Sequence, residues 1–295
     1  LISSEDVGIE VAVDVRPEVG EGPHWDEASE SLWFVDITGG AVLRHHSIDG
    51  TVNQFSVGQE VGAAIPRAGG GLVLAVRDGI AVTTETGDNF QIAVAIESTQ
   101  RTNRMNDAKC DPVGRLFAGT TAFDFAPEAG ALYRIDPDWS YATVVSAVTT
   151  SNGMGWSPDG NRMYFIDSAT QGVDVFDYDI ASGSLGTRRR LVSIAPEEGV
   201  PDGMTVDADG RLWVACFGAG AVRCYSPAGE LLHVIAFPVS QATSCAFGGR
   251  DLSDLYVTSA GYQFTREQRA KEPLAGATFV CRPGAVGRPA ASFAG

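Results

Sequence analysis

Six segments of this chain share one plan. They are "EGPHWDEASESLWFVDI" from Glu21, "GAAIPRAGGGLVLAV" from Gly62, "NDAKCDPVGRLFAGT" from Asn106, "NGMGWSPDGNRMYFIDS" from Asn152, "DGMTVDADGRLWVACFG" from Asp202 and "TSCAFGGRDLSDLYVTS" from Thr243. Each opens on a leading residue, reaches an apolar or aromatic residue about four positions later, turns on Pro, Asp or Gly, and ends in a run of β-formers. The starts lie 41, 44, 46, 50 and 41 residues apart. A period of this size signals one supersecondary unit made repeatedly. The remainder of each unit matches as well. Third strands open on Gly-Ala in "GAVLRHHSI", "GALYRID", "GAVRCYS" and "GATFVCR", and more variable fourth strands follow in "NFQIAVAI", "YATVVSAV" and "LLHVIAF". Short runs of β-branched and aromatic residues between turn residues read as strands, and four of them per ~40–50 residues is the period of a propeller blade.

The last unit lacks a convincing fourth strand, because "GAVGRPAASFAG" is rich in Gly, Pro and Ala. At the other end, "GIEVAVDV" (residues 8–15) is a strand with no unit of its own. Placing it in the sixth blade closes the ring and removes an exposed sheet edge. The expected fold is therefore all-β: a six-bladed β-propeller of four-stranded blades, the N-terminal strand closing the last, as a single domain over residues 1–295 with one core. No low-complexity linker divides it. Hydrophobic residues at 44% and charged residues at 20% suit a soluble globular chain. A net charge of −16 argues against nucleic acid or an anionic membrane as partner. The longest apolar run, "LLHVIAFPV", is too short for a membrane span. "LISSEDVGIE" has neither the basic start nor the apolar middle of a secretory signal. Five cysteines without a CxxC argue against a disulfide framework or zinc knuckle and for a reducing, cytoplasmic location.

Superposing the repeats puts Glu21, Gly62, Asn106, Asn152, Asp202 and Thr243 at one equivalent position. In a propeller the innermost strands line a central channel, so equivalent residues converge on the axis. Four of the six carry acid or amide side chains, types that strands avoid. One Asn or Asp before a strand is ordinarily a turn or cap residue; four at one register need another reason. Two carboxylates buried together repel until one protonates. A divalent cation resolves this, with the acids balancing its charge and an amide oxygen adding a ligand. All-oxygen ligation suits calcium, magnesium or manganese, although softer metals also accept carboxylates.

These segments resemble a known family. "EVGEGPHWD", "RMNDAKCDPVGRLFAGT", "SNGMGWSPDG" and "VPDGMTVDADGRLWVA" are similar to the signature segments of the gluconolactonase and senescence-marker-protein (regucalcin) family, over roughly residues 8–285. The resemblance implies a six-bladed propeller with one divalent cation in the channel, calcium first, with zinc, magnesium, manganese and iron as alternatives. It places the metal ligands on Glu21, Asn152 and Asp202, and the substrate contacts on Arg104, Asn106 and Asp124. It implies hydrolysis of a sugar lactone to an aldonic acid. Asp124 stands where some members carry Glu, and Ala108 replaces a common Gly; both departures bear on which lactone is used.

On this reading the lactone carbonyl is polarised at the cation, and Arg104 and Asn106 place the substrate. Asp202 is the catalytic candidate as general base, although a carboxylate on a cation is a weak one; a water activated at the cation is the alternative. Asp107, next to Asn106, is expected to point off the axis by strand alternation. His24, three residues after Glu21, is expected near the channel mouth; His45 and His46 lie on a third strand away from it. No GxSxG or HExxH occurs, and "DADG" at 207–210 lacks the distal Glu of an EF-hand, which leaves a hairpin turn. Two rival functions remain: another metal-dependent hydrolase acting on a phosphotriester or non-sugar lactone, and a calcium-binding propeller without enzymatic activity.

Overall fold

The structure is a computed structural model, and it describes residues 7–295. Residues 1–6, where the segment read against a secretory signal begins, lie outside the described residues. Six four-stranded antiparallel sheets follow one another around a ring. In the first blade the strands are Gly20–Asp26, Ser31–Asp36, Ala41–His46 and Val52–Ser56, in that order from the axis outward. The second to fifth blades repeat this order, their innermost strands being Val61–Pro66, Asn103–Cys110, Ser151–Trp156 and Val200–Val206.

The sixth blade takes three strands from the C-terminal region, Ala242–Gly248, Asp254–Ser259 and Thr278–Cys281, and its outermost strand, Glu10–Val13, from the start of the chain. The N-terminal strand therefore closes the ring as the unpaired "GIEVAVDV" required. At the innermost level Thr243 Oγ1 donates to the carbonyl of Gly20 at 2.6 Å, which ties the last inner strand to the first. Among the described residues the only α-helix is Arg266–Lys271, and no helix is long and apolar enough to cross a membrane.

The apolar residues do not form the one core expected. They divide into six clusters, each between two neighbouring blades: for example Trp33, Val35 and Leu74 between the first and second, or Phe117, Trp156 and Phe165 between the third and fourth. The reason is geometric. A radially stacked sheet is covered on both faces, so each blade presents apolar side chains to both neighbours, and the axis is left to polar groups. All five cysteines are buried and free within these layers.

In the third and fifth blades the hairpin joining the first two strands is pinned by a buried acid, Asp111 and Asp207 respectively. In the fifth blade Asp207 is fully buried and accepts from the backbone N–H groups of Asp209 (3.0 Å) and Arg211 (2.8 Å), from Arg211 Nε (2.7 Å) and from Trp213 Nε1 (2.9 Å). "DADG" is thus a turn whose first carboxylate is fully used.

After the last strand the chain runs back across one face of the ring. The carbonyl of Val286 accepts from Ala208 N–H, Gly287 N–H donates to Leu252, Phe293 exchanges backbone hydrogen bonds with Pro66 and Ala68, and Ala294 N–H donates to Gly114. Phe293 is fully buried by this docking, and Arg67 Nε holds the carbonyl of Gly295 at 2.9 Å. The segment that looked too poor in β-formers to be a strand is instead a strap over the second, third, fifth and sixth blades.

Candidate active site

Every innermost strand breaks register with its neighbour at the ring position. The breaks fall between Glu21 and His24, Val61 and Ala63, Met105 and Ala108, Ser151 and Met154, Pro201 and Met204, and Ala242 and Ser244. A bulge inserts an extra residue and re-aims the side chains beside it. Repeated six times at one level, it turns the ring residues toward the axis.

Close approach of the inner strands completes the ring. A Cβ added at Gly62 would collide with the carbonyl of Asn106, and one at Gly153 would sit 2.6 Å from the carbonyl oxygen of Asp202. Glycine at these points lets adjacent strands touch, so that Asn152 and Asp202 come together.

Glu21, Arg104, Asn106, Asn152, Asp202 and Thr243 line one cavity of about 540 Å³ at this end of the channel. Glu21, Asn152 and Asp202 are buried, and among the described residues no three His, Cys, Asp or Glu side chains form a metal-binding group. The set consists of two acids and an amide. Asn152 Nδ2 donates to Ser168 Oγ at 3.1 Å, and the Ser168 hydroxyl in turn donates to the carbonyl of Pro201 at 2.7 Å. That fixes the amide's orientation and leaves Asn152 Oδ1 buried without a donor. A buried acceptor left unpaired is costly and calls for a partner.

The acids call for the same partner. Burial, then the charges of Asp202 and Asp107, hold the Glu21 carboxyl well above the usual carboxylate range, against a 2.7 Å hydrogen bond from Gly22 N–H. Burial pushes Asp202 up to about 8, with Asp107 adding to the rise and the neighbouring Asn152, Glu21 and Arg104 opposing it. Two carboxyls with raised pKa and an orphaned amide oxygen at one spot fit a hard divalent cation. Because a cation must displace the proton that Asp202 holds near neutrality, its affinity should rise about tenfold per pH unit between pH 6 and 8. Calorimetric titration of the chelated protein with calcium in two buffers of different ionisation enthalpy reads both the slope and the protons released; a flat affinity would contradict the arrangement.

Arg104 and Asn106 are coupled. Arg104 Nη1 donates to Asn106 Oδ1 at 2.7 Å, and Asn106 Nδ2 donates to the carbonyl of Ser151 at 2.8 Å. Burial lowers the pKa of the Arg104 guanidinium, while Tyr262, Glu60, Glu21 and Asp202 counter this. It is the one arginine among the residues lining this cavity, suited to an anionic or oxygen-rich ligand.

Three residues lie elsewhere than sequence reasoning put them. Asp124 is exposed outside the cavity lining, where its Oδ1 accepts from Ala126 N–H at 3.1 Å; its neighbours Phe123 and Phe125 line the cavity instead. The turn after the second strand uses the carboxylate, and the flanking rings are left to the cavity. Asp107 does not leave the axis. It sits inside the register break, is buried, and its charge acts on Glu21 and Asp202, because alternation fails across a bulge. His24 lies in a second, smaller cavity with Lys109, Trp156 and Arg288, below the first, and burial together with Lys109 lowers its pKa to about 4.

The rest of the cavity comes from loops absent from the sequence reading. Ile37, Phe123, Ser168 and Tyr262 follow the second strand of their blades and Phe217 ends it, while Val19, Glu60, Thr149 and Val200 precede or open the first. Antiparallel pairing puts both sets at the same end as the ring, a signal that the repeats did contain.

Residues 19–261 match the family described as "SMP-30/Gluconolactonase/LRE-like region". A regucalcin of Danio rerio is 40% identical over 294 residues, covering 98% of this chain and 99% of that protein. A luciferin-regenerating enzyme of known structure is 33% identical, with a TM-score of 0.92 over 98% of this chain and 99% of that one. A calcium-binding protein, regucalcin, from Agrobacterium tumefaciens is 26% identical, with a TM-score of 0.93 over 97% of both chains. The chain belongs to the SMP-30/gluconolactonase/LRE-like family.

Proposed function

We propose that the chain is a lactonase that hydrolyses a sugar (aldono-) lactone to the corresponding aldonic acid, with one divalent cation, calcium first, held by Glu21, Asn152 and Asp202. The observation that carries this reading is the convergence of two buried acids and the unpartnered Asn152 Oδ1 on the floor of a ligand-sized cavity. Family membership supports it.

When bound, the cation supplies the positive field that polarises the lactone carbonyl. The protein's own groups do the rest. Asn106, held through Oδ1 by Arg104 and through Nδ2 by Ser151, is a rigid element of the floor. The remaining donors of Arg104 orient ring and hydroxyl oxygens of the substrate. Asp202 is the group placed to take the proton of the attacking water on a carboxylate oxygen.

Proton release from a panel of aldonolactones tests the reading, run on chelated protein with calcium, zinc, magnesium, manganese or iron(II) restored singly. Hydrolysis of at least one lactone should return with at least one metal and fall at least a hundredfold in Asp202→Asn. The absence of turnover with every combination would defeat it, and tight calcium binding without turnover would favour the calcium-binding reading.

A further inference from the structure

The floor of the cavity is polar, but part of its mouth is apolar. Phe123, Phe125 and Val200 are 43%, 44% and 37% exposed, and all three line the cavity opening. Phe217 stands opposite Val200 across the first two strands of the fifth blade and lines it too. The two groups of apolar side chains come from the third and fifth blades and flank the fourth-blade loops that reach in with Thr149, Thr150 and Gln171.

Two further observations set this rim apart from the scattered apolar exposure that any surface shows. Phe125 has φ of +55°. That is an uncommon and costly backbone conformation for a bulky residue, and its result is an aromatic ring presented at the mouth. The cavity is also too large for the proposed substrate alone. At about 540 Å³ it lies among pockets that enclose drug-sized ligands, roughly 300–1,000 Å³, whereas an aldonolactone has only about a dozen heavy atoms. Such a lactone seated on Arg104 and Asn106 would leave the Phe and Val side chains in water.

We propose that the site takes lactones carrying an aryl or medium-chain alkyl substituent, which rests between Phe123–Phe125 and Val200–Phe217 while the lactone group reaches the acids below. This rests on the lactonase reading and alters its substrate: the lactone carries an apolar substituent in place of the hydroxylated chain of an aldonolactone. The two contacts divide the work: polar groups fix the reacting carbonyl, and the rim supplies non-directional burial of the substituent.

The test compares kcat/KM for glucono-δ-lactone, an alkyl γ-lactone with a five-carbon side chain and an aryl-fused δ-lactone, all in the same metal. At least one substituted lactone should have a KM tenfold or more below that of the aldonolactone. In Phe125→Ala and Phe217→Ala the ratio of kcat/KM for that lactone to kcat/KM for the aldonolactone should fall at least fivefold. Taking the ratio within each variant removes any general loss of folded enzyme. A lactam analogue with the same substituent, titrated calorimetrically against chelated protein, should bind the wild type at least fivefold more tightly than Phe125→Ala. Turnover of the aldonolactone alone, or an unchanged ratio in both variants, overturns this inference and leaves the lactonase reading standing. Failure of all three lactones brings both down.

Discussion

Asp202→Asn should make the chelated protein unfold at a higher temperature than the wild type, by about 6 °C at pH 9 and by almost nothing at pH 4. The reason lies in where the carboxyl sits. Burial raises its pKa to about 8 in the folded state, against about 3.9 in an unfolded chain. A group raised in this way gives stability that is complete below the unfolded value and lost as pH climbs through the folded one. Each unit is about 1.4 kcal/mol, so the full shift sets a ceiling near 6 kcal/mol, and sharing of a proton with Glu21 reduces it to about 3 kcal/mol. For a chain of this length that is about 6 °C in midpoint. Saturating calcium should reverse the ranking, because only the wild type keeps both acids and gains the linkage term, about 4 kcal/mol at a thousandfold excess over Kd. Thermal scans at pH 4 and pH 9, with chelator and with calcium, give all the comparisons. Equal midpoints in chelator at pH 9 would mean that the ionised acid is not buried.

The second large effect concerns the scaffold. Asp207→Ala should lower the stability of the whole ring by about 3–5 kcal/mol, the usual consequence of removing one member of a buried ion pair. The fully buried carboxylate serves four donors, among them Arg211 Nε and the indole N–H of Trp213. Alanine would strand the indole donor in the layer between the fifth and sixth blades, where Trp213 packs against Phe247. Asp207→Asn, which keeps an acceptor oxygen, should recover a good part of the loss. Urea unfolding at pH 7 measures both, and a change below 1 kcal/mol for alanine would show that water replaces the lost acceptor.

The ring was legible because repeat register is indifferent to local geometry. Glu21, Asn152 and Asp202 occupy equivalent places in three copies of one unit, and symmetry brings them to the axis whatever the strand does between them. What the bulges control was not legible. Asp107 follows Asn106 by one residue, and alternation predicts the opposite face; an inserted residue, which leaves no mark in the side-chain pattern, turns it back toward the acids. His24 was misplaced for a related reason. Three residues along an inner strand is about 10 Å, enough to take it from the upper cavity to the lower one. Asp124 failed differently, since an acid in a loop can bind a ligand or cap its own turn, and the "DFAP" sequence suits either. The aromatic rim was not legible from the inner strands, although pairing order alone puts the loops after each second strand at the same end.

The strap formed by the last residues has a consequence for traffic. Arg288 and its neighbours line the small lower cavity, at the end of the inner strands away from Glu21 and Asp202, and the Arg288 guanidinium donates to the carbonyls of Trp156 and Ser157. Whatever approaches the hub of the wheel from that side meets the strap first, whereas the aromatic side offers the larger opening.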